Sequence, residues 1–416
     1  MIELRPNLKT APRPKRCKSP AGYPHLLLLL TLLSTLVVWQ SPSTVAQRET
    51  PNNKGYTESL RFQDVAPGIE YGQITSGHAS KDDRTGPWFI NVLRIDLKRA
   101  RLKIVHALDE GVGLETVSSM ASRYHATAAT NGGYFRVNGT YRGECVGLLL
   151  LNGKLISEPH NDRAEFGLIN AGTTTEVIFG HLKFSGKISV GSRMRTVQGL
   201  NRPVSPDEVI VFTPEFHRTT LTSPEGIEVV VRRGRVVSVG DLKGSSEIPA
   251  DGYVISAVGK SREWVKDNVP KGATISFSWH LNSIEPGDDQ KWRRAYSILG
   301  AGPQLIRNGK IAITNLQEKI TPAFVTDGHP RTAIAKLASG KLLLLTVDGR
   351  QPGESIGMPL NVLADLLLEL GAVEAMNLDG GGSTTMMLND KVVNKPSDAT
   401  GERPVSDAIL IFPKPN

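Results

Sequence analysis

Ala372-Val373-Glu374-Ala375-Met376-Asn377-Leu378-Asp379-Gly380-Gly381-Gly382-Ser383 decides how the chain is read. The apolar run to Met376 has strand character. Thr384-Thr385-Met386-Met387-Leu388, after the glycines, reads as a second strand. A carboxamide and a carboxylate therefore stand at a strand end, followed by three glycines. Consecutive glycines cost backbone entropy, and fewer suffice for a plain turn. A loop this bare admits a ligand close to the backbone, where N–H groups meet an anion. The bland alternative is a tight turn in which Asp379 is the hydrogen-bonding residue.

Working upstream, Lys341 to Val347 is an apolar strand ended by Asp348-Gly349-Arg350. Pro359 suits the first turn of a helix. Leu360, Leu363, Leu367 and Leu370 keep helical spacing, and Gly371 is a stop. The same succession occurs earlier. Leu102 to Ala107 reads as a strand, and Glu115 to His125 as a helix with Val117, Met120, Ala121 and Tyr124 on one face. Ala126 to Thr130 then leads into Asn131-Gly132-Gly133-Tyr134-Phe135. Both halves read strand, helix, strand, then Asn beside glycines. This predicts two related units whose loops, at Asn131 and Asp379, meet at one site.

Between them the chain is strand-rich. Asn152-Gly153 and Asn308-Gly309 are hairpin signals, and Glu228 to Val239 is a third hairpin. The 41 glycines and 26 prolines among 416 residues favour many turns over a helical bundle. The expected fold is strand-rich α+β (mixed α/β), with twisted mixed sheets, a few packing helices and a small inserted β-subdomain. The expected divisions are a leader at 1–46, a linker and edge segment at 47–85, two halves of one domain at 86–221 and 285–416, and the insertion at 222–284.

Charge is unevenly placed. The formal net charge is +8, of which residues 1–46 supply +5 through Arg5, Lys9, Arg13, Lys15, Arg16 and Lys18 against Glu3. The remaining +3, without a long Lys/Arg run, gives a nucleic-acid partner little support. The basic stretch precedes the apolar run Leu26 to Trp39 and the small residues Ser43-Thr44-Val45-Ala46. That order is a secretory signal, with an uncleaved N-terminal anchor as the alternative and the sole expected membrane contact. The body is expected outside the cytoplasm: secreted, periplasmic or at the cell surface. Beyond Cys17 in the leader, the sequence has one cysteine, Cys145, so no disulfide forms within the mature chain. Cys145 reads as a small buried residue.

Several chemistries lack their signatures. Ser383 sits in no G-x-S-x-G elbow, and there is no H-E-x-x-H, cysteine cluster, Walker loop or dinucleotide fingerprint. What remains are polar residues at strand ends: Asn131, Glu144, Asn201, Arg202, His217, Asp327, His329, Arg331, Asp348, Arg350, Asn377 and Asp379. Each has an ordinary structural reading as a turn, cap or surface residue.

Five segments in order carry a resemblance: Asn131 to Phe135, His329 to Ala333, Val347 to Arg350, Asn377 to Ser383 and Glu402-Arg403-Pro404-Val405-Ser406. Together they resemble the phosphodiester glycosidase family over about residues 90–413, whose bacterial members are often described as exopolysaccharide-related. The resemblance implies a glycoside hydrolase that cuts the C1–O bond of sugar-1-phosphodiesters, N-acetylglucosamine-1-phosphodiester-like, releasing free sugar and a phosphomonoester. The implied partner is a carbohydrate phosphate. Residue types fit this chemistry. A phosphate leaving group is already anionic and needs cations, which arginine supplies bidentately. A carboxylate stabilises the oxocarbenium centre or activates water.

On that reading Asp379 is nucleophile or base, Glu144 the second carboxylate, and Asn131 orients Asp379 or binds sugar. Arg331, Arg202 and Arg350 hold phosphate, Asn377 binds sugar hydroxyls or orients Asp379, and the N–H groups of Gly380, Gly381 and Gly382 meet the phosphate. No cofactor and no metal ligand are assigned. A divalent cation such as calcium held by Asp327, His329 or Asp348 is an alternative. So is a non-catalytic protein that binds or remodels an envelope polysaccharide.

Overall fold

The computed structural model describes residues 60–76, 86–171 and 174–415. The leader reading for 1–46 lies outside them. The fold is strand-rich α+β, and the predicted pair of related units is visible in it. The first comprises β1 (Ala100–His106), α1 (Val117–Arg123) and β2 (Ala128–Asn131). The second comprises β3 (Arg331–Leu337), β4 (Leu342–Val347), α2 (Leu360–Glu369) and β5 (Ala372–Asn377). They are followed by β6 (Met386–Leu388) and β7 (Asp407–Pro413).

In each unit a strand, a helix and a second strand lie with an antiparallel strand inserted between the two. β7 separates β1 from β2, and β3 separates β4 from β5. The registers correspond as well: Asn131 faces Ala408, and Asn377 faces Ala333. The two asparagines are therefore equivalent terminal residues of equivalent strands.

Burial explains why these segments fold so. One shared core joins Leu102, Ile104, Ile409 and Ile411 of the β1–β7–β2 sheet to Ile334, Leu342, Leu344 and Met376 of the other. Leu343, Leu345 and Val347 point the opposite way, against Leu360, Leu363 and Leu367 of α2. β4 thus needs apolar side chains on both faces, which is why it reads as an unbroken leucine run. Removing one such buried leucine side chain costs about 2–5 kcal/mol. α1 covers the outer face of its own sheet through Val117, Met120 and Ala121, packed on Val105, Ala129 and Leu410. The Thr116 hydroxyl caps α1 by accepting from the Ser119 N–H.

The three hairpin turns form where the sequence places them, with Asn152, Gly153, Asn308, Gly309, Arg233 and Gly234 all at positive φ. The edge segment contributes Gln63–Ala66 and Ile69–Ser76, which pair onto Trp88–Ile95. The strands Ile227–Arg232, Arg235–Asp241 and Gly252–Ala257 share a five-stranded sheet with Gly199–Leu200 and Val209–Phe212. Ile275–Ser283 instead pairs with the long strand Thr174–Val190. Segment 222–284 therefore bonds to strands that precede it in sequence. Among the described residues, no helix is long and apolar enough to cross a membrane.

Candidate active site

The loops after β2 and β5 touch, through their backbones and through one carboxamide. Buried Asn131 donates from Nδ2 to the Asp379 carbonyl at 2.7 Å. Its Oδ1 accepts from Thr332 Oγ1 at 2.8 Å and from the Thr385 N–H at 3.1 Å. The Asp379 N–H returns a bond to the Gly132 carbonyl at 2.9 Å. One side chain thus ties three segments, and the Asp379 carboxyl projects from the junction.

Each of the three glycines answers to a different neighbour. A Cβ on Gly380 would lie 2.6 Å from the Pro330 carbonyl oxygen. Gly381 has φ +61°, and a Cβ there would lie 3.0 Å from Arg350 Nη2. A Cβ on Gly382 would occupy the place of Arg403 Nη2 and Asp398 Oδ1. Two of the three positions thus face a guanidinium group, and the third faces a backbone carbonyl.

Burial pushes the Asp379 carboxyl up to about 6, while the Ser383 hydroxyl, the Gly380 N–H and the charge of Arg403 pull it back down. Ser383 Oγ lies beside the carboxyl without completing a hydrogen bond to it. The Gly380 N–H donates to Asp379 Oδ1 at 2.9 Å. The Gly381 N–H donates to the Pro330 carbonyl. Two of the three glycine N–H groups expected to meet a phosphate are therefore engaged within the protein. The cationic side of the loop is Arg350 and Arg403. Arg403 forms a two-point ion pair with Asp398, at 2.7 and 2.9 Å. Arg350 donates to Ser397 Oγ at 3.3 Å and, among the described residues, forms no ion pair.

Asn377 lies on the same floor. Its Nδ2 donates to the Gly302 carbonyl at 2.9 Å and to Tyr134 Oη at 3.1 Å, and Tyr134 itself donates to Gly302. Its Oδ1 has no protein partner, and neither do the hydroxyls of Ser383, Thr384 and Thr385. Four of the fifteen such buried polar atoms among the described residues thus fall within nine residues of this loop. Buried polar atoms are ordinarily paired, with protein groups or with ordered water.

Other expected site residues are engaged elsewhere. Arg331 is buried and donates to three backbone carbonyls, of Met358 (2.9 Å), Phe324 (2.7 Å) and Asp327 (2.9 Å). Strand alternation explains this: Arg331 shares its face of β3 with Ala333, toward α2, whereas Thr332 faces Asn131. Arg202 is held between Glu158 Oε1 at 2.6 Å and Glu208 Oε2 at 2.7 Å. Glu144 pairs with Arg136 at 2.9 Å. Burial raises Glu144 to about 7 despite Arg136, and the next charges acting on it are Glu158 and Arg202. Glu144 and Arg202 therefore belong to a second cluster with Arg136, Glu158 and Glu208. It borders its own hollow of about 510 Å³, and neither residue hydrogen-bonds to the Asp379 loop.

Two residues of the site were not singled out from the sequence. Arg403 lies in the Glu402 to Ser406 motif, so a signal for it was present. Buried Asp407 supports the first loop, accepting from the Gly133 N–H at 2.6 Å and from Ser406 Oγ at 2.6 Å. Cys145 lies buried against it, with Sγ 3.5 Å from Oδ2, and burial raises its thiol further. Asp348 pins the segment after β6, accepting from Asn394 Nδ2 and the Lys395 N–H. Among the described residues, no group of three or more His, Cys, Asp or Glu side chains is placed to hold a metal ion.

This arrangement has relatives. Residues 225–412 match the family model described as phosphodiester glycosidase. The match takes in Asp379, Arg331, Arg350 and Arg403 and leaves out Asn131, Glu144 and Arg202. The N-acetylglucosamine-1-phosphodiester alpha-N-acetylglucosaminidase of Bos taurus is 41% identical over 103 residues, 23% of this chain and 19% of its own length. That of Homo sapiens is 39% identical over 103 residues, 23% and 20% of the two chains. The SPbeta prophage-derived uncharacterized protein YomE of Bacillus subtilis is 40% identical over 83 residues, 20% and 13%. The chain thus spans a fifth or less of the length of these curated relatives. Two crystal structures share the fold at 24% identity. One, from Burkholderia pseudomallei K96243, has a TM-score of 0.74 and covers 87% of this chain and 97% of its own. The other, a hypothetical protein from Synechocystis, has a TM-score of 0.72 and covers 85% and 64%.

Proposed function

We propose that this chain hydrolyses glycosyl phosphodiesters, N-acetylglucosamine-1-phosphodiesters among them, at the sugar C1–O bond. The observation that carries the reading is the Asp379 carboxyl at the head of a glycine loop whose Gly381 and Gly382 lie under the Arg350 and Arg403 guanidinium groups. The arginines hold the phosphate as charge builds on its bridging oxygen. That oxygen leaves with the C1–O electron pair as part of a phosphomonoester and needs no acid to protonate it. Asp379 supplies the carboxylate opposite the oxocarbenium centre, as nucleophile at C1 or as base for the entering water. Water provides the hydroxyl of the released sugar, and its proton passes to solvent. Asn131 positions Asp379 through the backbone, and buried Asn377 braces the floor through Gly302 and Tyr134.

The test is release of free sugar from an N-acetylglucosamine-1-phosphodiester by residues 47–416 and by their Asp379→Asn variant. Loss of release in the variant supports the assignment, and wild-type rates in it remove Asp379 from the mechanism. Retention of the diester with no sugar released would identify a binding protein of envelope polysaccharide instead. The basic and apolar order of residues 1–46 supports export and a role in envelope or exopolysaccharide metabolism. N-terminal sequencing of the mature protein tests that, and retention of residues 1–46 would overturn cleavage.

A further inference from the structure

Beside Arg403 lies a hollow of about 360 Å³, the size that holds a single small ligand unit. Its apolar lining comes from Leu114, Phe135, Val137 and Pro404, and its polar lining from Asp398, Thr400 and the cations Arg403 and Arg142. Arg403 is common to the hollow and to the Asp379 loop, since its guanidinium overlies Gly382. A diester held by Arg403 therefore extends from the loop into this space.

Arg142 is the residue without an assignment. Its side chain is exposed and, among the described residues, engages no carboxylate and no hydrogen-bond acceptor. Its backbone is nevertheless fixed. The Arg142 N–H donates to the Gly139 carbonyl, and the preceding Tyr141 is buried with its hydroxyl on the Thr220 carbonyl at 2.9 Å. The following Gly143 packs so tightly on Gly113 that a Cβ would lie 2.8 Å from its carbonyl oxygen. A solvated cation on a braced turn, in the lining of the hollow, is left over once the scissile phosphate has Arg350 and Arg403. Asp398 is already engaged by Arg403, so the hollow keeps one uncompensated positive charge.

We propose that this hollow is the leaving-group subsite and that Arg142 selects substrates with a second anionic group, a phosphate or carboxylate, on the leaving side. The preferred substrate class is then an anionic chain of units joined through glycosyl phosphates, over a diester of a neutral alcohol. This rests on the hydrolytic reading above. A charge-assisted contact of this kind contributes about tenfold in selectivity, and it weakens as salt screens it.

The test compares two diesters of N-acetylglucosamine-1-phosphate, one with methanol and one with glycerol phosphate. The full chain is used with its Arg142→Ala and Arg142→Lys variants. The expected wild-type ratio of kcat/KM favours the glycerol phosphate diester about tenfold. Arg142→Ala brings that ratio toward one through KM, and Arg142→Lys restores part of it. A wild-type ratio near one, or the same ratio in all three proteins, overturns the subsite while leaving hydrolysis intact. A loss confined to kcat overturns it too. If neither diester is cleaved, the hydrolytic reading fails. The same ratio, read as calorimetric affinity, then decides the subsite alone.

Discussion

Asn131 and Asp379 are joined by a 2.7 Å hydrogen bond between a side-chain amide and a backbone carbonyl, 248 residues apart in sequence. Each is reached at the end of its own strand–helix–strand unit. The position of the carboxyl is therefore a property of how two sheets pack, not of one loop. Asn131→Ala removes acceptor and donor together and strands Thr332, the Thr385 N–H and the Asp379 carbonyl. Its expected cost is about 2–4 kcal/mol, read as a lower urea midpoint with unchanged m-value, together with a fall in kcat.

Asp379 sets a trade between stability and activity. Its carboxyl titrates near 6 in the fold against an ordinary value of 3.8. A raised folded pKa means that its favourable contribution is complete below about pH 4 and is lost as pH rises through about 6. At pH 7 the ionised, partly buried carboxylate costs about 1–3 kcal/mol. Asp379→Asn is expected to be inactive yet more stable than wild type at pH 7. The gain disappears below about pH 4, as thermal melts at the two pH values will show.

On the proposed mechanism the same carboxyl sets the pH profile of catalysis. As base or nucleophile it must be ionised, so kcat/KM should fall on the acid side with an apparent pKa near 6. A profile flat from pH 5 to 7 would remove Asp379 from that role.

Gly382→Ala places a methyl group where Arg403 meets Asp398. The ion pair must open and the guanidinium must leave the loop. The expected result is a loss of about 100-fold or more in kcat/KM with circular dichroism unchanged, consistent with the cost of displacing a charge-stabilising group at a reacting centre. Wild-type activity would show that Arg403 does not work from this position.

Arg350→Ala tests the second cation without disturbing any ion pair. KM for a sugar-1-phosphodiester should rise by about tenfold, while KM for an uncharged aryl glycoside changes little. Equal effects on both substrates would argue against a phosphate contact.

Much of the frame was legible because it depends on local pattern. The α2 leucines, the Asn-Gly hairpins and the leucine run of β4 each announce an element, and the two Asn-Gly loops announce their kinship. The insertion of β7 between β1 and β2 was not legible, since nothing near Asp407 says which strands it will separate. That pairing also brings Asp407 under Gly133. Ionic partnerships were the other blind spot. Arg202, Arg331 and Arg403 look alike in sequence, yet one is held by two glutamates, one by backbone carbonyls and one overlies the glycine loop. Strand alternation separates Arg331 from Thr332, and the choice can be made only once β3 is placed. Glu144, expected as the second carboxylate, is paired with Arg136.

The floor of the cleft is written in backbone alone. Positions 380, 381 and 382 are each closed to a side chain by a different neighbour, so drift there has nothing to offer but loss. Diversification must happen on the walls, where Val137, Arg142 and Thr400 can change without touching the floor. On the proposed subsite, a library aimed at new leaving groups belongs at those three positions, and substitutions at the glycines are expected to lose activity.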